Sequence, residues 1–115
     1  CRIINMKVAR VGGLTNAVNI HDMCGEAGLP LWSGGMLETG VGRATNLHLA
    51  TMPGFTLPSD ISATERYYAE DIAEPVFVLN PADSTITVPA GPGIGVDVLP
   101  ERLEKVRVRY QIFDA

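Results

Sequence analysis

The sequence is poor in cysteine, in basic residues and in long apolar runs, and each shortage excludes something. Two cysteines, Cys1 and Cys24, in a chain that is 46% apolar read as reduced thiols of a cytosolic protein rather than as a disulfide framework. No stretch reaches the roughly twenty consecutive apolar residues that a membrane-spanning helix needs. Nine basic side chains stand against thirteen acidic ones, for a net charge of −4. Apart from a short cluster from Arg102 to Arg109, interleaved with acids, the cations are scattered, so the basic stripe that nucleic acid demands is missing. Low-complexity tracts are absent too, which argues against disorder. What is present is an ordinary apolar complement with twelve Gly and eight Pro, a composition that implies a folded, loop-rich unit. The opening at Cys1, without initiator Met or signal-like segment and two residues ahead of an apolar run, reads as the interior of a longer protein.

Apolar spacing organises the chain. Arg2 to Val8 reads as a strand closed by the Gly12-Gly13 break, with Ile3, Asn5 and Lys7 on one face and Ile4, Met6 and Val8 on the other. Leu14, Ala17, Val18, His21, Cys24 and Ala27 recur at helical spacing, so the pattern predicts a helix over about 15–27, capped at Thr15 or Asn16 and stopped by Gly28 and Pro30. A second strand at Leu29 to Trp32, a helix at Thr39 to Met52, a third strand at Phe55 to Pro58 and a helical turn at Ala63 to Tyr68 follow. This βαβαβα order implies a parallel sheet with right-handed crossovers. Beyond Ile72 the period changes: Val76 to Leu79 and Ser84 to Val88, joined by Asn80 to Asp83, predict an antiparallel hairpin. A short helix near Pro100 to Leu103 and an alternating strand over Val106 to Phe113 complete the expectation. The fold class is therefore α/β, with three βα units over 1–72 and a β-rich segment over 73–115. Three such units cannot close a barrel, which needs about 250 residues. They form either a small open sheet or the last part of a barrel.

Several positions could carry chemistry. Lys7 falls at the C-terminal end of a parallel strand, on the face of Asn5, where βα-loop enzymes place catalytic groups; it also reads as a lysine reaching from a strand end to water. Gly34-Gly35 after the second strand lets backbone amides approach a ligand, or simply makes a tight turn. Asp60, past the third strand, is an anion positioned for a ligand or the N-cap of a helix near Ile61 and Ser62. Gly91 to Gly95 precedes Val96-Asp97-Val98 instead of opening a helix, so it reads as a turn-rich crossing rather than a nucleotide loop. His21 and His48 lie on predicted helices without a metal-ligand partner.

Four segments in register carry a resemblance: Ile4 to Gly13 around Lys7, Gly34 to Arg43 (Gly-Gly-Met-Leu-Glu-Thr-Gly-Val-Gly-Arg), Phe55 to Ala63 around Asp60, and Val88 to Val96. Together they resemble the o-succinylbenzoate synthase and N-succinylamino acid (N-acylamino acid) racemase group of the enolase superfamily, over nearly the whole chain. The resemblance implies strands six to eight of a modified (β/α) barrel, plus a C-terminal segment returning to an α+β capping domain. It implies that Lys7 matches the second catalytic lysine, and that Gly35, Met36 and Leu37 line the acyl side of the substrate pocket. For Asp60 it implies proximity to substrate, and for Glu38 a helix-end or loop-bracing part.

The implied chemistry is removal of a proton α to a carboxylate, with a divalent metal, magnesium, stabilising the enediolate. The other lysine and the three acidic metal ligands would lie upstream of Cys1, so no residue of this chain is expected to bind the metal. In racemisation two lysines act on opposite faces of the α-carbon; in the synthase reaction, a step of menaquinone biosynthesis, the residue matching Lys7 stays cationic. The implied partners are a small carboxylate substrate, the rest of the barrel with its cap, and further copies in a homo-oligomer. Dipeptide epimerisation, muconate cycloisomerisation and a non-catalytic isolated α/β unit remain as alternatives.

Overall fold

The computed structural model describes residues 1–113. Its centre is a parallel pair, β1 (Ile4–Met6) and β2 (Leu31–Ser33), with Asn5 opposite Trp32 and Met6 opposite Ser33. A third segment continues the sheet through parallel bridges from Leu31 to Phe55 and from Gly34 to Asp60. The crossovers are α1 (Leu14–Glu26) and α2 (Gly40–Ala50). Period-two alternation behaves as expected: Met6 is fully buried with Ile4 and Val8 packed beside it, while Asn5 stays exposed on the opposite face.

Helix α1 buries Ala17 and Cys24 against Met6, Leu31 and Leu49. It ends where the sequence expects it to, because Gly28 takes φ +63° and lets the Leu29 amide return to the Cys24 carbonyl at 2.8 Å. Its start differs from expectation. Gly13 is the N-cap, and the Asn16 side chain donates backward to the Val11 carbonyl at 2.8 Å instead of capping. Cys1 and Cys24 are both free thiols, the first exposed and the second in the core.

Helix α2 is apolar on two sides. Leu49 joins the core under β1 and β2, whereas Ala44 and Leu47 pack with Phe77 in a second core that draws in Ile61, Ile86, Val88, Ile94 and Val96. The second half of the chain is thereby fastened to the back of α2. There, β3 (Ala73–Glu74) and β4 (Asp97–Val98) form a short antiparallel pair that leads into α3 (Pro100–Val106). Proline in the first turn, Glu101 near the positive end and Lys105 near the negative end favour α3.

Three expectations are corrected. Val76 to Leu79 and Ser84 to Val88 do not form a hairpin. The backbone groups of Phe77 are already taken, its N–H by Thr64 Oγ1 at 3.0 Å and its carbonyl by the Thr64 amide at 2.8 Å. Between them, Asn80 and Asp83 accept from the amides of Ala82 and Thr85, which closes a local turn. Asp60 is not a helix cap, since the next helical turn is a 3-10 turn at Thr64–Arg66 with Ala63 before it. Finally, the helix runs on to Val106, and residues 107–113 make no strand. All seven of these residues are exposed, the apolar Val108, Tyr110, Ile112 and Phe113 included, with Val108 99% exposed. An alternating segment without a neighbouring strand has nothing to complete its ladder. No helix among the described residues is long and apolar enough to cross a membrane.

Candidate functional site

The C-terminal ends of the three parallel segments meet at Lys7, Gly34-Gly35 and Asp60. The β1–β2 register brings Gly34 beside Lys7, and the Gly34 amide donates to the Met6 carbonyl at 2.8 Å. On the other side the Asp60 amide donates to the Ser33 carbonyl at 2.8 Å, and the Gly35 amide donates to the Asp60 carbonyl. Backbone pairing thus carries the sheet one residue past each strand and brings all three chain segments to one rim.

Both glycines are closely crowded, Gly34 by side chains and Gly35 by backbone. A Cβ built on Gly34 would lie 2.2 Å from Asn5 Oδ1 and 2.9 Å from Lys7 Cε; one built on Gly35 would lie 2.5 Å from the Asp60 carbonyl oxygen. The Lys7 stem therefore runs across the bare face of Gly34. Its ammonium reaches the Gly35 carbonyl, donating at 2.6 Å from a half-buried position. Lys7 is therefore not a lysine that simply extends to water.

The remaining expected site residues sit around this rim. Met36 and Leu37 are exposed, Leu37 at 69%, and the Leu37 carbonyl accepts from the Tyr68 hydroxyl at 2.6 Å. Glu38 braces its own loop: Oε2 accepts from the Met36 amide at 2.7 Å and Oε1 from Asn46 Nδ2 at 3.0 Å. Asp60 touches the others through its backbone, while its residue is exposed. A cleft of about 570 Å3 opens beside it between Ser59, Ile61, Arg66 and Tyr67, and Lys7, Gly35, Met36 and Leu37 are not among its walls. The rim is an open face rather than an enclosed pocket. His21 and His48 serve packing: His21 stacks on Phe55 and bonds the Pro53 carbonyl, and His48 bonds the Ile94 carbonyl. The Asp22 carboxylate, then the Pro53 carbonyl, raise the His21 pKa above its ordinary value.

Behind the loop lies a group of residues that the spacing arguments passed over. Arg43 on α2 and Asp71 are both almost wholly buried and pair at 3.4 Å. Arg43 also donates to Thr64 Oγ1 at 3.2 Å and to the Glu38 carbonyl at 3.0 Å. Asp71 accepts the first amide of α2, that of Gly40, at 2.9 Å, so a carboxylate 31 positions away caps the helix. Arg43 was visible as a charged residue on a helix face shared with Ala44 and Leu47; Asp71 carried no comparable mark.

Among the described residues no three His, Cys, Asp or Glu side chains are grouped to hold a metal ion. The residues present do not fit the metal that the family resemblance implies.

Comparison with known proteins completes the description. A family model described as enolase C-terminal domain-like matches residues 1–102. An N-succinylamino acid racemase from Amycolatopsis sp is 51% identical over 105 residues, 91% of this chain and 28% of the racemase. An o-succinylbenzoate synthase from Bacillus subtilis (strain 168) is 46% identical over 113 residues, 98% of this chain and 30% of the synthase. Among solved structures, an enolase superfamily member from Listeria innocua superposes with a TM-score of 0.84 at 48% identity, covering 91% of this chain and 28% of that one. The chain thus spans less than a third of the length of the relatives it matches, and its strands and helices are those of the (β/α) barrel part of that fold.

Proposed function

Because the chain belongs to the enolase C-terminal domain-like family, we propose that it furnishes one wall of an active site that removes the proton α to a carboxylate. In the complete enzyme the outcome is o-succinylbenzoate by dehydration, racemisation of N-succinyl (N-acyl) amino acids, or both. One observation carries the reading: the Lys7 ammonium sits at the C-terminal end of a parallel strand, over Gly34 and anchored on the Gly35 carbonyl at 2.6 Å. A cation held this way keeps two N–H donors free for a substrate carboxylate or carbanion, and in its neutral form the same nitrogen accepts a proton.

Lys7 is the catalytic residue in this proposal. In racemisation it serves one face of the α-carbon, and a second lysine elsewhere in the enzyme serves the other. In dehydration it remains an ammonium opposite the developing negative charge. Gly35, Met36 and Leu37 form the wall for the acyl group, with Met36 and Leu37 presenting apolar side chains outward, and Asp60 closes the rim from the third segment. Divalent metal chemistry, with magnesium the expected ion, belongs to carboxylates outside this chain, and no step here runs through it. The relatives at 46–51% identity, which include both a racemase and a synthase, support this reading over dipeptide or muconate chemistry.

The test uses the complete enzyme in heavy water, with a divalent metal and the two enantiomers of an N-succinyl amino acid as substrates. Wild-type enzyme should exchange the α-proton of both and interconvert them, and Lys7→Ala should lose racemisation by a factor of about 100 or more. Unchanged racemisation in the variant would sink the assignment.

A further inference from the structure

We propose that Glu38 is a positioning residue for Lys7, acting through the peptide unit that joins Gly35 to Met36. The inference rests on the reading of Lys7 as the proton-transferring group. Two charge-assisted hydrogen bonds converge on that one unit. Its carbonyl accepts from Lys7 Nζ at 2.6 Å, and its N–H donates to Glu38 Oε2 at 2.7 Å. In a trans peptide these two groups point in opposite directions, so a cation and an anion grip opposite ends of a single planar dipole. Both bonds polarise the unit in the same sense, and each strengthens the other.

The arrangement matters because of where it lies. The peptide follows two glycines, whose backbone is otherwise the least restricted in the chain. A free peptide here could turn its carbonyl away from Lys7; the Glu38 carboxylate prevents this by holding the N–H end. Glu38 is itself held. Its second oxygen accepts from Asn46 Nδ2 at 3.0 Å, its carbonyl accepts from Arg43 at 3.0 Å, and its stem lies close over Gly42, where an added Cβ would be 2.9 Å from Glu38 Cβ and Cγ. A rigid path therefore runs from α2 through Glu38 and one peptide to the Lys7 ammonium.

The consequence is asymmetric. Lys7 serves one face of the α-carbon, so loosening its anchor weakens proton transfer on that face and spares the other. Bracing of the pocket wall alone would affect both enantiomers equally.

The experiment measures α-proton exchange in heavy water separately for each enantiomer of an N-succinyl amino acid, using complete wild-type, Glu38→Ala and Glu38→Gln enzymes, with thermal melts alongside. Lys7→Ala identifies the enantiomer whose proton faces Lys7. Glu38→Ala should slow kcat for that enantiomer about tenfold, the worth of one charge-assisted hydrogen bond, and the opposite enantiomer less than about twofold. Glu38→Gln, which keeps an acceptor for the Met36 amide, should recover most of the loss and leave a deficit of about twofold on the same enantiomer; it decides the matter if Glu38→Ala does not fold. Equal losses for the two enantiomers, or none, overturn the positioning role. Failure of the wild-type enzyme to exchange either enantiomer overturns the reaction itself, and the positioning role with it.

Discussion

The loop between β2 and α2 has two unlike sides. Toward the strand ends it is nearly all backbone: Gly34 and Gly35 present no side chains, and a lysine stem and a neighbouring carbonyl occupy the space that Cβ atoms would fill. Toward the helix it rests on buried charge, where Arg43 and Asp71 pair behind it and fasten Glu38, Gly40 and Thr64. The front needs residues to be absent; the rear needs them to be satisfied. A surface built from glycine has little stiffness of its own, so its shape is imposed from behind. A buried ion pair is a weak source of net stability but a strong constraint on geometry when each partner is fully hydrogen-bonded.

The sharpest way to break this division is to remove half of the buried pair. Arg43→Ala strands the Asp71 carboxylate and frees the Glu38 carbonyl and Thr64, and should destabilise the protein by about 3–5 kcal/mol. A chemical denaturation curve of the complete enzyme reads this as a lower midpoint, and an unchanged midpoint would remove the rear from the account. Gly34→Ala should behave in the opposite way. Its new Cβ meets side-chain atoms alone, Asn5 Oδ1 and the Cε and Cγ of Lys7, which can move, so stability should fall by about 1–3 kcal/mol, less than for Arg43→Ala, while turnover drops about tenfold as Lys7 is displaced. Stability and activity measured on one preparation separate the two variants; proportional losses in both would contradict the division.

How much of this could be read from the sequence follows the same line. The placing of Lys7, the glycine pair and Asp60 at the ends of parallel segments was legible, because each follows a short apolar run; spacing alone left their roles open. Arg43 with Asp71 was not, because the pairing joins positions 28 apart through a fold that spacing does not describe. The hairpin expected at Val76 to Val88 had two strand-like runs joined by a turn composition and failed for a related reason: Thr64, thirteen positions upstream of Phe77, takes both backbone groups of that residue. Val106 to Phe113 alternates as a strand should, yet alternation specifies a face and not a partner.

A milder perturbation lies away from both sides of the loop. His21 ties α1 to the Pro53 carbonyl and to Asp22, and folding raises its pKa from the ordinary value of 6.5. Its stabilisation is complete below that ordinary value and is lost as pH rises through the higher folded value. The stability gap between wild type and His21→Phe should therefore narrow from mildly acidic to alkaline pH, with turnover little affected. A gap independent of pH would show that His21 contributes only by stacking on Phe55.

The most direct test of the central claim, that the front of the loop presents Lys7 to one face of a carbon acid, is α-proton exchange resolved by enantiomer in complete Lys7→Ala enzyme. The account predicts that exchange survives for one enantiomer of an N-succinyl amino acid and disappears for its mirror image. Equal residual exchange from both would contradict it.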